Sequence, residues 1–169
     1  MNTQKRLMKY ILFIIALATM SSAHGQSQED FDAAGRKILS MVTDSIPSQS
    51  IPFIRRNEYF KVIDKQPISD NQKSILKQKL NLELTDQHTI MQNDLTGLRE
   101  TYERERAEGA TFEYDETIYE LMNRSVDTYS VKTTYMYKNG KTQTLVSFTY
   151  DLAWLGNRFA LISSIKEDF

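Results

Sequence analysis

The sequence predicts an α+β fold, with helices first and an antiparallel meander of three to four strands after them. Apolar residues recur at helical spacing through the first half of the 169-residue chain. From about residue 128 onward the chain is rich in Thr, Tyr, Val and Phe, which favour strands. Two tight-turn signals divide this second half. We therefore expect the apolar face of the sheet to pack on the longest helix.

Residues 1–25 have the pattern of a secretory signal peptide. Its basic leader contains Lys5, Arg6 and Lys9. The apolar run over 10–20 is too short to span a bilayer, which takes about 20 residues. Small residues follow it, so cleavage is expected after Ala23 or Gly25, with an uncleaved signal anchor as the alternative. Residues 26–169 are then expected to form a single α+β domain.

The amino-acid composition limits where this domain is expected to be located and which classes of partner it is expected to bind. The chain has no cysteine, so it lacks the lipid-attachment residue of a bacterial lipoprotein and any disulfide. We expect export to the periplasm or the exterior. Without the three basic residues of the leader, 18 basic residues face 22 acidic ones, a net charge of −4. This balance argues against binding to nucleic acid or to an anionic membrane, because both need a basic face.

The helices are predicted from caps and periodicity. Ser27 stands before an acidic turn as an N-cap should. Its helix has apolar residues at Phe31, Ala34, Ile38, Met41 and Val42. A short helix is expected from Asn57 to Asp64. Ser69 and Gln72 match a capping box, which predicts another helix that ends at Leu80.

The longest helix is expected to begin at the cap Thr85 and to end near Glu108, before Gly109. Its apolar or semi-apolar positions recur in alternating steps of four and three, at Leu84, His88, Met91, Leu95, Leu98 and Tyr102. That spacing places them in one stripe that faces a partner surface.

The hairpin after this helix predicts which side of the sheet is buried. Asn139-Gly140 is the preferred central pair of a type I′ turn. With that turn, Val131 pairs with Phe148, and one face becomes aromatic and aliphatic. This face includes Tyr129, Tyr135, Tyr137 and Tyr150.

A second turn at Gly156-Asn157 extends the same face. It pairs Trp154 with Phe159, Leu152 with Leu161 and Phe148 with Ile165. Two independent turns thus agree on one buried side. A fourth strand is expected over 112–122, although that segment also fits a short helix.

The Trp154 strand, its tight glycine turn and the run RFALISSI (158–165) resemble the nuclear transport factor 2-like and cystatin-like folds. They are also similar to small uncharacterised secreted bacterial proteins. The resemblance covers residues 85–169. It implies a curved sheet that closes over the long helix. Because such folds host enzymes, ligand carriers and assembly modules, it assigns no site residue.

Few catalytic groups are available to this chain. Without cysteine it has no thiol nucleophile and no thiolate metal site, and no metal or cofactor is expected. The sequence has neither a Gly-x-Ser-x-Gly elbow nor a glycine-rich phosphate loop. His88 is a candidate general base or a core histidine. The carboxylates of 113–120 could do acid–base work or bind calcium, or could form a charged strand edge.

The binding candidates are Tyr135 and Tyr137 near the hairpin tip, and the pair Arg55-Arg56, which could grip an acidic ligand. Tyrosine combines a wide apolar ring with a polar tip, which suits a ligand cavity or a partner surface. We expect an exported, non-enzymatic module that binds an unknown small molecule or protein. The alternative is a small cofactor-independent enzyme with a cone-shaped pocket, using His88 or a buried carboxylate as its base.

Overall fold

The structure, a computed structural model, describes residues 26–124 and 127–168. The described helices are α1 (Gln28–Thr43), α2 (Arg56–Asp64) and α3 (Asp70–Ala107). The strands are β1 (Thr111–Asn123), β2 (Thr128–Asn139), β3 (Thr142–Trp154), β4 (Phe159–Leu161) and β5 (Lys166–Asp168). They form an antiparallel sheet in the order β1-β2-β3-β4, with β5 also paired to β3. The predicted α+β class is confirmed.

The predicted signal peptide lies outside the described residues. Within the described ranges, no helix combines the length and the apolar character that a membrane crossing needs. The predicted cap of α1 is present: the backbone N–H of Asp30 donates to Ser27 Oγ at 3.2 Å. From Phe31 onward the chain forms one compact unit.

Helix α3 corrects the prediction of two separate helices. It runs for 38 residues from the capping box at Ser69, whose hydroxyl accepts from the N–H of Gln72. The predicted end at Leu80 and restart at Thr85 are wrong. Residues 81–84 contain no glycine or proline, so nothing interrupts the helical hydrogen bonds. Of the predicted stripe, Leu84, Met91 and Tyr102 are buried.

The first hairpin turns one residue later in the chain than the sequence predicts. Asn139 pairs with Thr142, so Gly140 and Lys141 are the central residues. Gly140 has a φ of +58°, whereas Lys141 does not have a positive φ, which is the pattern of a type II′ turn. Each partner moves by two residues, and Val131 faces Tyr150. A shift of two keeps every side chain on its predicted face, because the side-chain period of a strand is two.

The second turn confirms the predicted pairs Trp154 with Phe159 and Leu152 with Leu161. Beyond β4 the ladder is interrupted, and Phe148 pairs with Glu167 instead of Ile165. The segment over 112–122 is a strand and not a helix, since β1 pairs with β2 along its length. β1 is therefore the fourth strand of the meander.

Helix α1 crosses the sheet at Gly35. A Cβ atom there would lie 2.7 Å from Thr133 Oγ1 and closer still to Thr117 Oγ1. Thr117 and Thr133 are cross-strand partners on β1 and β2. The missing side chain thus lets the helix backbone approach the two threonines directly.

The hydroxyls beneath this crossing bond to one another. Thr117 Oγ1 lies 3.1 Å from Thr133 Oγ1, which lies 2.7 Å from the hydroxyl of Tyr150. Tyr114 adds to this network of hydroxyls. Its hydroxyl has two alternative acceptors, Thr117 Oγ1 at 3.0 Å and Asp32 Oδ1 at 2.9 Å. Hydroxyls that are buried without partners would destabilise the fold, and this network supplies the partners.

We predict that Gly35→Ala lowers the free energy of unfolding by about 1–3 kcal/mol, the usual cost of overpacking. The new methyl group must displace Thr117 and Thr133, which are 1% and 0% exposed and have little room to move. Urea denaturation followed by circular dichroism measures the change.

Gly97→Ala is the matched control, because Gly97 lies inside α3 and, apart from its chain neighbours and the backbone of its own helix, no described atom lies within 4 Å of the position that its Cβ would take. There alanine should raise the free energy of unfolding by about 0.5–1 kcal/mol through helix propensity alone. Equal effects from both substitutions would contradict the close approach of α1 to the sheet.

Candidate ligand-binding pocket

The pocket lies where the C-terminal part of α3 faces the hairpin. Its cavity has a volume of about 300 Å³. It is lined by Thr101, Tyr102, Glu105, Tyr135, Tyr137, Thr144, Val146 and Glu167. The residues come from three elements that are distant in sequence: α3, the β2–β3 hairpin and β5. Both predicted tyrosine candidates, Tyr135 and Tyr137, are in this lining.

The floor of the pocket is a cluster of three oxygen-bearing side chains. The hydroxyl of Tyr102 donates to Glu167 Oε1 and is also hydrogen-bonded to the hydroxyl of Tyr135. The Tyr135 hydroxyl lies 3.2 Å from the same carboxylate oxygen. One carboxylate therefore ties α3 to the hairpin through two tyrosines.

The rim repeats this pairing of a tyrosine with a carboxylate. Tyr137 donates its hydroxyl to Glu105 Oε2 at 2.7 Å. Asn139 Nδ2 donates to the Tyr137 oxygen at 3.2 Å. The second carboxylate oxygens, Glu105 Oε1 and Glu167 Oε2, have no hydrogen-bond partner within the described residues. These oxygens are available as acceptors for a ligand.

Aromatic packing fixes the two buried tyrosines. The ring of Tyr135 stacks on Phe148 with centroids 4.9 Å apart, and Tyr102 packs on Phe112 at 5.0 Å. Tyr135 and Phe148 are fully buried. Their rings cannot rotate without disturbing the core, so the hydroxyl positions are set before a ligand arrives.

The tyrosines of the pocket are hydrogen-bond donors at neutral pH. Burial raises the pKa of Tyr102 and of Tyr135 well above the ordinary value, and the hydrogen bond to Glu167 adds to the effect at Tyr102. At the surface, the hydrogen bond to Glu105 raises the pKa of Tyr137. The described lining contains two carboxylates and no lysine, arginine or histidine, so its formal charge is negative.

The structure places the other candidates elsewhere. His88 is half-buried, its ring centroid lies 6.2 Å from that of Phe53, and its Nε2 is buried with no partner in the described part of the chain. Arg55 caps α2, and its backbone N–H donates to Glu58 Oε2 at 2.8 Å. Arg56 is exposed in the first turn of α2. None of these three residues lines any of four cavities found among the described residues.

The carboxylates of 113–120 lie on β1, at the edge of the sheet. Glu113 Oε2 forms an ion pair with Lys138 Nζ at 2.6 Å, and the neighbouring Asp115 and Glu116 are exposed. Among residues 26–124 and 127–168, no group of three or more His, Asp or Glu side chains is arranged to hold a metal ion. The arrangement is that of a charged strand edge.

A cavity of about 430 Å³ lies between α2 and the β3–β4 turn. Its central ion pair joins Arg158 to Glu58 at 2.6 Å, and its lining includes Lys61, Lys65 and Trp154. The pair neutralises one charge of each sign, and the two lysines leave the described lining with a positive formal charge. The tyrosine pocket differs because its carboxylates have no cationic partner in the described lining.

Sequence reasoning missed both carboxylates of the pocket. Glu105 follows Tyr102 by three residues on one helix, so its place beside that tyrosine could have been inferred. Glu167 carries no such signal, because only the pairing of β5 with β3 brings it under the hairpin.

No family model matches this chain, and no curated protein and no solved structure is significantly similar to it. The geometry of the site is therefore the basis on which a function can be proposed.

We predict that the protein loses stability as the pH rises from 10 toward 12. Burial raises the pKa of Tyr59 and of Tyr129 from 10.0 to about 12. In that window the unfolded chain has lost phenolic protons that the folded chain retains, so alkaline pH favours unfolding. Urea denaturation at a series of pH values, with phenolate absorbance as a second readout, measures the effect. An unfolding free energy that stays constant to pH 12 would contradict it.

Proposed function

We propose that this chain is an exported, non-enzymatic binding module whose tyrosine pocket holds a small organic cation. The observation that carries the proposal is the lining itself: three tyrosines and two carboxylates surround a cavity that has no basic residue in its described lining. A cationic ligand would supply the missing countercharge.

The chemistry of the lining matches that ligand class in two ways. Carboxylate oxygens accept the N–H donors of an ammonium group and attract its charge, more strongly in a partly buried site than in water. Tyrosine rings attract cations through their electron-rich faces, which is how proteins recognise quaternary ammonium groups. Tyr137, which is only partly buried at the rim, offers the ring that is most accessible to a ligand.

The size of the cavity limits the ligand. A volume of about 300 Å³ is at the lower end of the range for small-molecule pockets. The ligand is therefore a compact amine or ammonium compound rather than a peptide or a large cofactor.

A role in binding without catalysis is supported by the protonation state of the pocket tyrosines and by the hydrogen bonds of its carboxylates. The tyrosine hydroxyls are donors at neutral pH, as their raised pKa values require, and so do not act as bases. His88, the candidate base of the enzyme alternative, is absent from the described lining of the pocket. The two carboxylates of that lining, Glu105 and Glu167, each already accept a hydrogen bond from a tyrosine hydroxyl.

The proposed place of action is the periplasm or the exterior. It is supported by the basic leader, the apolar run and the small residues of the first 25 positions. We predict that the intact mass of the protein from its native host lacks the first 23 or 25 residues. Recovery of the full-length chain in the membrane fraction would contradict export with cleavage.

The ligand prediction is tested with choline and its uncharged carbon isostere, which have the same shape but differ by one charge. Isothermal titration calorimetry should detect choline and not the isostere. Glu105→Gln removes one carboxylate charge from the rim and should weaken choline binding by about tenfold, the effect of losing roughly 1.4 kcal/mol.

Glu100→Gln is the matched control, because Glu100 lies on the same helix but is exposed and absent from the described lining. It should leave choline binding unchanged. Equal affinity for choline and the isostere would contradict the proposal of a cationic ligand. An equal loss of choline affinity in the two glutamine variants would contradict it as well. Compact primary amines such as putrescine extend the panel within the same class.

A further inference from the structure

We propose that the outer face of α3 binds the same face of a second copy of this chain, with the two helices antiparallel. The surface is the outer stripe, defined as Ile75, Leu82 and Ile90. The outer stripe does not include any residue of the tyrosine pocket.

The outer stripe is exposed although it is apolar. Ile75 is 55% exposed, Leu82 is 81% exposed and Ile90 is 57% exposed. Steps of seven and eight residues place the three side chains on one side of a helix with 3.6 residues per turn. Single exposed apolar residues are ordinary, but an aligned set on one helix is the pattern of a contact surface.

The rest of the protein packs against the other side of α3. Leu84 and Met91 are buried there, and Lys77 on that side reaches Asp64 of α2 with an Nζ–Oδ1 distance of 2.6 Å. Relative to Leu82, Leu84 is turned by about 200° around the helix axis. The outer stripe is consequently accessible along its length to another molecule.

Charge decides the orientation of the partner. Lys79 and Asp86 lie on the same side of α3 as the outer stripe, one turn before and one turn after Leu82. In an antiparallel pair centred beside Leu82, Lys79 of each copy meets Asp86 of the other, and Ile75 meets Ile90. In a parallel pair, each of these charges would meet its own copy and repel it.

The surface is thus complementary to itself, as a twofold-symmetric contact must be. The only ion pair of Lys79 within the described residues is with Glu83, at 3.9 Å between exposed side chains, and such a pair contributes little. The contact extends over roughly 22 Å of helix. Because the stripe is short, the dimer should form reversibly and depend on protein concentration.

Disulfide trapping tests the orientation of the two helices. Because the chain has no cysteine, every disulfide that forms must come from an introduced residue. Leu82→Cys is near the twofold axis and should cross-link to itself under air oxidation. Ile75→Cys should not, since its two copies lie far apart, whereas a mixture of Ile75→Cys and Ile90→Cys should form the mixed dimer. Ile46→Cys is the control, because Ile46 is 88% exposed but lies in a loop.

Sedimentation equilibrium tests the chemistry of the contact. Leu82→Glu should leave only monomer, and Leu145→Glu, at an exposed position on the sheet, should leave the dimer intact. Lys79→Glu and Asp86→Lys should each raise the dissociation constant by about tenfold, and the two together should restore it.

Three results would overturn the proposal. These are a wild-type chain that stays monomeric at all concentrations, an Ile75→Cys variant that cross-links to itself as well as Leu82→Cys does, and a double charge reversal that does not recover association.

Discussion

The approach of α1 to the sheet at Gly35 is the constraint on which the rest of the structure depends. Because this residue has no Cβ, the helix backbone reaches the threonine pair Thr117 and Thr133. The threonine hydroxyls then bond to each other and to Tyr150, so the crossing leaves no unpaired hydroxyl among them. A larger residue would push the helix away from the sheet, and hydroxyls of this network would then lose their hydrogen-bond partners.

The two helices divide the inner face of β2 between them. From α1, Phe31 packs on Tyr129 with ring centroids 4.9 Å apart, and Gly35 covers Thr133. From α3, Tyr102 meets Tyr135, and Glu105 accepts from Tyr137. The tyrosine pocket lies in the second zone, where the hairpin extends toward its exposed turn. The fold thus fills one end of the face with core and leaves a cavity at the other end.

Helix α3 connects the pocket to the proposed dimer contact. Its buried side carries Met91 and Tyr102 toward the sheet, and its opposite side presents Leu82 and Ile90 to solvent. A helix of 38 residues is long enough for both sites, since the pocket uses its C-terminal end and the outer stripe runs from its N-terminal end to its middle. The proposed ligand pocket and the proposed dimer contact do not overlap, so the two proposals are compatible on one rigid helix.

The sequence alone determined the fold class, the caps at Ser27 and Ser69, and the buried face of the sheet. These follow from short-range rules: helical spacing, side-chain capping and the two-residue period of strands. That period explains why the face survived although the turn was displaced from Asn139-Gly140 to Gly140-Lys141. Local signals failed at that turn, at the predicted pairing of Phe148 with Ile165 and at the predicted break before Thr85. A capping residue inside a continuous helix looks the same in sequence as one that begins a helix.

Only the tertiary structure decided which side chains from distant segments contact one another. It placed Glu167 under Tyr102 and Tyr135, although the carboxylate and the first tyrosine are 65 residues apart in the chain. It also left His88 against Phe53 rather than in the pocket lining. Contacts between distant segments depend on how whole elements pack, and no local pattern encodes which side chains then meet.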